Sequence, residues 1–218
     1  IADYVSAHWR ESDDGMWEAR SGAQRYTSSL LMSWVALERT IRMADRRGRP
    51  GDLVRWRTVR DEIHTTIRTE AWNDDLGAFT QTLGGTALDA SVLLMPLVKF
   101  IPPDDPQWLS TLDAIDDGLA HDVLVDRYDQ DEVDDGLEGS EGSFEICSFW
   151  FVEALARAGR LDQARAAFDK LITYAGPLGL RSEMIGPTGE QLGNYPQAFS
   201  HLALISAAVH LDELLDAR

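Results

Sequence analysis

Cysteine is nearly absent from this 218-residue sequence: Cys147 stands alone, so no intrachain disulfide can form and nothing points to an oxidising compartment. A cytoplasmic location is the default expectation. Positive charge is scarce as well, with 20 Lys and Arg against 37 Asp and Glu, a net charge of −17. That balance argues against nucleic acid or an anionic membrane as the main partner, since either would be repelled, whereas a small neutral ligand would not. No basic segment leads into an apolar run at the start, and the longest apolar stretch, about Ala90 to Ile101, is interrupted by Pro96 and Lys99. Neither export nor a membrane span is expected from this pattern. An initiating methionine is missing too: Ile1-Ala2-Asp3-Tyr4-Val5 reads as the end of a helix that begins upstream, as in a fragment or a processed chain.

Cofactor signatures are equally thin. The five histidines show no His-x-x-x-His spacing, and the glycine patterns of nucleotide loops do not occur. Asp131 to Gly142 superficially resembles a calcium loop, but Val133 falls on a ligand position and Gly142 falls where a bidentate glutamate is required. No metal and no cofactor are expected.

What the chain does have is helical periodicity. With 44% hydrophobic residues it can bury a sizeable core, and its length lies between one large domain and two small ones. Leu30, Leu31, Trp34, Val35, Ile41 and Ala44 recur at helical spacing before Gly48 and Pro50, which predicts a helix from Ser28 to Arg47. Asp52 caps the next, which carries Leu53, Trp56, Ile63 and Ile67 to about Trp72. Further helices are predicted over Asp89 to Phe100, from Asp105-Pro106 to about Ala120, over Phe144 to Ala158, over Leu161 to Ala175, and from Pro196 onward. With the initial stub this makes eight helices arranged as hairpins, an all-α chain. Short extended pieces are expected only near Ala78 to Thr82 and Val123 to Tyr128.

The connections Glu11 to Thr27, Val123 to Ser143 and Gly176 to Tyr195 are too long for simple links, and loops of that length usually carry function. Hydrolysis of a glycoside needs one protonated carboxyl for the leaving oxygen and one carboxylate to activate water or attack the sugar, so paired loop carboxylates are the feature to seek. In the first loop, Trp17-Glu18-Ala19-Arg20 sets a glutamate between an indole that can stack on a sugar and desolvate the acid, and a guanidinium that opposes that effect. Taken alone, Glu18 also reads as a surface carboxylate paired with Arg20. In the last loop, Glu183 and Glu190 are both candidate bases, and each also reads as a turn or capping carboxylate.

Three ordered motifs join these segments. Trp17-Glu18-Ala19-Arg20, then Phe144-Glu145-Ile146-Cys147-Ser148-Phe149-Trp150, then Ser182-Glu183 with Gly189-Glu190-Gln191-Leu192-Gly193-Asn194-Tyr195-Pro196-Gln197-Ala198-Phe199-Ser200-His201 together resemble glycoside hydrolase family 15, the family of glucoamylases, glucodextranases and bacterial trehalases. The resemblance covers essentially the whole chain. It implies an (α/α)6 toroid, a barrel of six helical hairpins of which residues 1–218 supply about the last four as the C-terminal portion of a catalytic domain. It further implies inverting hydrolysis of a terminal α-glucosidic bond, with Glu18 as general acid and Glu183 as general base. Glu190 remains a rival for the base and a substrate-binding candidate, as are Trp17, Arg20, Arg127 and Tyr128. Arg127 matches a family arginine that holds sugar hydroxyls, a task suited to its planar fork; a salt bridge within Asp126 to Asp135 is the alternative reading.

The expected partner is a small neutral saccharide. Trehalose is favoured because the loops look more like those of bacterial trehalases, with malto- or isomalto-oligosaccharides second. Two departures matter: Ala19 stands where fungal members carry a second glutamate, and the family's arginine-aspartate pair for the non-reducing sugar has no match here, so this chain alone is expected to lack activity. Among the remaining aromatics, Trp34 and Trp56 are expected in the core, and Trp150 either lines the pocket or packs. His201 is expected to be a packed, hydrogen-bonded histidine. Ala154 to Phe168 resembles a tetratricopeptide hairpin, which raises a protein-binding scaffold as the alternative class, but a shift of about 34 residues finds no second copy.

Overall fold

The computed structural model describes residues 1–134, 136 and 141–218. Helix α1 (Ala2–His8) leads into a long loop and then α2 (Thr27–Arg47), which buries Leu30, Leu31, Trp34, Leu37, Ile41 and Ala44 along one face. Gly48 ends α2 in the left-handed region at φ 58°, a conformation that glycine adopts without a Cβ penalty. The Asp52 side chain accepts from the Arg55 backbone N–H at 3.1 Å and starts α3 (Leu53–Glu70), whose Trp56, Val59, Ile63 and Ile67 close against α2. Burial of each such side chain stabilises the pair by roughly 1.5–3 kcal/mol. Trp34 and Trp56 are core residues, 8% and 7% exposed.

The helix predicted over Asp89 to Phe100 is instead a 3₁₀ turn at Ala90–Leu93 followed by the single turn α4 (Leu94–Leu97). Pro96 offers no N–H to the preceding turn, and Lys99 takes a left-handed φ of 66°, so the helix cannot extend. Helix α5 (Pro106–Gly118) starts as its sequence demands, with the Asp105 carboxylate accepting from the Gln107 N–H at 2.9 Å and Pro106 in the first turn.

Helix α6 (Glu145–Arg157) is buried almost all round, including Cys147, Phe149, Phe151, Val152, Leu155 and Ala156, the pattern of a helix with neighbours on every side. It packs on α7 (Leu161–Leu171), α8 (Ala198–Asp216), α4 and the 3₁₀ turn. Pro196 lies before α8 rather than opening it, and Gln197 takes the N-cap position. Of the expected hairpins, α2 pairs with α3 and α6 with α7, whereas α4 packs on α6 and α5 packs on β2 (Ala78–Phe79).

Two of the three small sheets each place one strand in an expected extended piece, β2 (Ala78–Phe79) and β4 (Leu124–Val125), paired antiparallel with β1 (Trp72–Asn73) and β3 (Ala120–His121), which were not expected. The third was not foreseen. It joins β5 (Ser143–Phe144), β6 (Met184–Ile185) and β7 (Gln191–Leu192), pairing Ser143 with Ile185 and Phe144 with Met184. Two-residue strands are too short for alternation to show in sequence. The acidic stretch Asp131 to Gly142 lies partly outside the described residues.

Among the described residues, α8 is long and apolar enough to cross a membrane by length and composition alone. One face of it, Ser200, Ala203, Ala207 and Leu211, is buried against α6 and α7. Phe199, Leu202, Ile205 and Val209 remain exposed.

Candidate active site

Three loops converge at one end of α6. The first, between α1 and α2, is closed by a bridge between Asp13 and Gln24, and the Asp13 carboxylate accepts from Gly15 N and Ser29 Oγ at 2.7 and 2.8 Å. Gly15, at φ 72°, lies so close under the Tyr26 ring that a Cβ would sit 2.8 Å from it. This turn carries Trp17 and Glu18, and Glu18 itself holds a left-handed φ of 56°. The half-buried Trp17 indole donates to both oxygens of Asp89 at 3.1 and 3.0 Å. Its ring lies 5.9 Å from Phe144 and 6.3 Å from Trp150, with the Arg127 guanidinium 5.4 Å away.

The third sheet builds the opposite side. The Glu183 backbone N–H donates to Asn194 O, and its carbonyl accepts from Glu145 N, both at 3.0 Å. Its carboxylate accepts from Asn194 N and Nδ2 at 3.1 and 3.2 Å and from Gln197 Nε2 at 3.3 Å. Only glycine fits at 193: its φ is 73°, and a Cβ there would stand 2.5 Å from Glu183 Oε2.

A buried ion pair braces this loop. Arg181, 1% exposed, donates through Nε to Glu145, which is fully buried, and through Nη2 to Leu171 O at 2.6 Å. Burial pushes the Glu145 carboxyl above the usual range, and the Arg181 charge opposes that rise. His201 accepts the Arg181 backbone N–H at Nε2, 3.2 Å away, the hydrogen-bonded role expected of it.

Glu18 and Glu183 line the same cleft of about 640 Å³, together with Arg127, Gln197 and an apolar wall of Trp17, Phe144, Ile146, Trp150 and Phe199. Trp150 therefore faces the cleft while also packing near Trp17. Arg127 pairs with Glu141, Nη2 to Oε1 at 2.5 Å, a carboxylate just beyond the stretch Asp126 to Asp135 of the alternative reading. Three of the sequence candidates do not line this cleft. Tyr128 is buried beside the Arg127 guanidinium, 4.9 Å from it, and Arg20 is exposed. Glu190 folds back within its turn, accepting from Thr188 N and Oγ1 at 2.9 and 2.6 Å; the Thr188 hydroxyl holds its carboxyl below the usual range.

Sequence reasoning passed over Phe144, Ile146, Gln197 and Phe199 as individual lining residues, although all four stand inside the quoted motifs. Asp89 and the Glu145–Arg181 pair gave no signal, because their partners are distant in sequence or hidden in apolar surroundings. Residues 1–209 match the glycosyl hydrolases family 15, and the chain belongs to that family. It is 50% identical over 205 residues to a trehalase of Mycobacterium tuberculosis and 47% identical over 205 residues to a trehalase of Mycolicibacterium smegmatis. Each match covers 94% of this chain and 30% of the relative, so the chain spans about a third of the length of those proteins. A solved wild-type glycosidase superposes with a TM-score of 0.82 at 23% identity, over 96% of this chain and 58% of that one. The hairpins described above are accordingly part of an (α/α)6 toroid.

Proposed function

We propose that residues 1–218 are the C-terminal portion of a catalytic domain that hydrolyses a terminal α-glucosidic bond with inversion, with trehalose as the favoured substrate. The observation that supports this reading best is that Glu18 and Glu183, 165 residues apart in sequence, line one cleft. Glu18 protonates the departing glycosidic oxygen. Glu183, oriented by the Asn194 and Gln197 amides, takes a proton from a water that attacks the anomeric carbon from the opposite face. Inverting pairs leave about 6.5–9.5 Å between carboxyl groups for that water. The indole rings of Trp17 and Trp150 supply stacking surface for a sugar, and the Arg127 fork suits a pair of adjacent hydroxyls. The trehalase names of the relatives favour trehalose; exo-hydrolysis of malto- or isomalto-oligosaccharides is the second reading.

Turnover of the full-length protein on trehalose, maltose and isomaltose separates the two, and faster maltose cleavage would reject the first. Proton NMR at early times tests inversion: trehalose cleaved with inversion releases one β- and one α-glucose, and release of α-glucose alone would exclude it. Glu18→Gln and Glu183→Gln should each remove most turnover with the fold intact, while Glu190→Gln is mild. A severe Glu190→Gln loss with Glu183 dispensable reverses the base assignment.

A further inference from the structure

We propose that Asp89 is a positioning residue for the acid: by gripping the Trp17 indole from outside the cleft, it holds the next residue, Glu18, in a left-handed backbone conformation at the cleft wall. The inference rests on the assignment of Glu18 made above.

Asp89 does not line the cleft and is 1% exposed. Its oxygens accept from Trp17 Nε1 at 3.1 and 3.0 Å, from Gln81 Nε2 at 3.0 Å and from Ser91 N at 2.7 Å. All three donor groups are neutral. Capping the Ala90–Leu93 turn would need only the bond from Ser91, which asparagine or serine makes as well. A carboxylate buried among neutral donors is costly, and capping alone does not account for it. The additional acceptor capacity goes to Trp17 and Gln81.

Glu18 shows what that capacity does. A non-glycine residue at φ 56° carries a strain of roughly 1–2 kcal/mol, and such residues persist only where their surroundings over-determine them. Two backbone bonds shape the turn, Glu18 N to Gly15 O at 3.4 Å and Ala19 N to Asp14 O at 2.9 Å. Both lie within the loop, so neither fixes the turn relative to the cleft. Among the described residues, the side-chain hydrogen bond that ties the 16–20 segment to the rest of the molecule runs from Trp17 to Asp89, 72 positions away. The same anchor reaches Arg127, because Ala90 N donates to Arg127 O at 2.8 Å.

The test compares two substrates in the full-length protein: the α-glucoside that the wild type turns over fastest, and α-glucosyl fluoride, whose leaving fluoride needs no proton from the enzyme. Asp89→Asn is expected to lower kcat on the glycoside roughly 10- to 100-fold, part of the contribution of a well-placed acid, with KM little changed. On α-glucosyl fluoride its turnover is expected to stay close to wild type. Wild-type turnover on the glycoside, or equal loss on both substrates, would overturn the proposal. Glu18→Gln serves as the reference. If it too loses both substrates equally, the acid assignment itself fails; if it keeps the fluoride and Asp89→Asn does not, only the positioning role fails. Should Asp89→Asn not fold, Asp89→Ser, which keeps a capping oxygen for Ser91 N and gives up the acceptors of Trp17 and Gln81, takes its place, and the same pattern is required of it.

Discussion

At the residue scale, the candidate base is oriented by amides and by the absence of a side chain. Glu183 takes three hydrogen bonds from Asn194 and Gln197, and the chain returns past it at Gly193, where φ is 73° and a Cβ would meet Oε2 at 2.5 Å. Gly193→Ala therefore combines backbone strain with a direct clash. It should cost about 1–3 kcal/mol of stability and reduce turnover more than it raises KM, because the displaced group is the proposed base. Thermal melts and steady-state kinetics on the same preparation check both halves. Glu190 lacks this environment: its carboxyl is spent on Thr188, which distinguishes two glutamates that the sequence presented as rivals.

At the element scale, the loop that carries Glu183 is joined to the start of α6 by the pair Glu145–Arg181, both buried. Removing one partner leaves a charge without compensation, so Glu145→Gln should destabilise by about 3–5 kcal/mol, whereas Glu145→Leu combined with Arg181→Met should come close to wild-type stability. Denaturant unfolding of the single and double variants measures the difference. The start of α5 makes a pH-dependent case. Asp105 caps the helix and accepts from Arg68 Nη1 at 2.7 Å, and against the opposing effect of burial the Arg68 hydrogen bond and charge hold its carboxyl below the usual value of 3.8. A depressed folded value means stability that is present above pH 3.8 and lost as pH falls through the folded value. Asp105→Ala should cost about 1–2 kcal/mol at neutral pH, and its deficit against wild type should shrink in melts below pH 3.8.

At the scale of the whole molecule, α8 divides into a buried stripe against α6 and α7 and an exposed stripe of Phe199, Leu202, Ile205 and Val209. Apolar patches of this kind promote association, so the 218-residue chain by itself should bind a hydrophobic dye and self-associate, and Leu202→Glu with Ile205→Glu should reduce both. Dye fluorescence and sedimentation at several concentrations check this. The helices were legible in the sequence because their causes are local: apolar spacing in α2 and α3, Asp52 and Asp105 at their caps, Gly48 at a stop. Where a local rule met a competing one, as at Pro96 and Lys99, the expected helix shrank to two turns of different kinds. The third sheet escaped notice because its strands are two residues long and come from segments about forty positions apart. The sequence by itself determined the helical hairpins, and through three ordered motifs it marked Glu18 and Glu183. Only the tertiary structure decided that both line one cleft, that Asp89 anchors Trp17, and that Arg181 is buried on Glu145. Those juxtapositions join residues 36 to 165 positions apart, and packing of the helices, not any local propensity, supplies the free energy that holds them together.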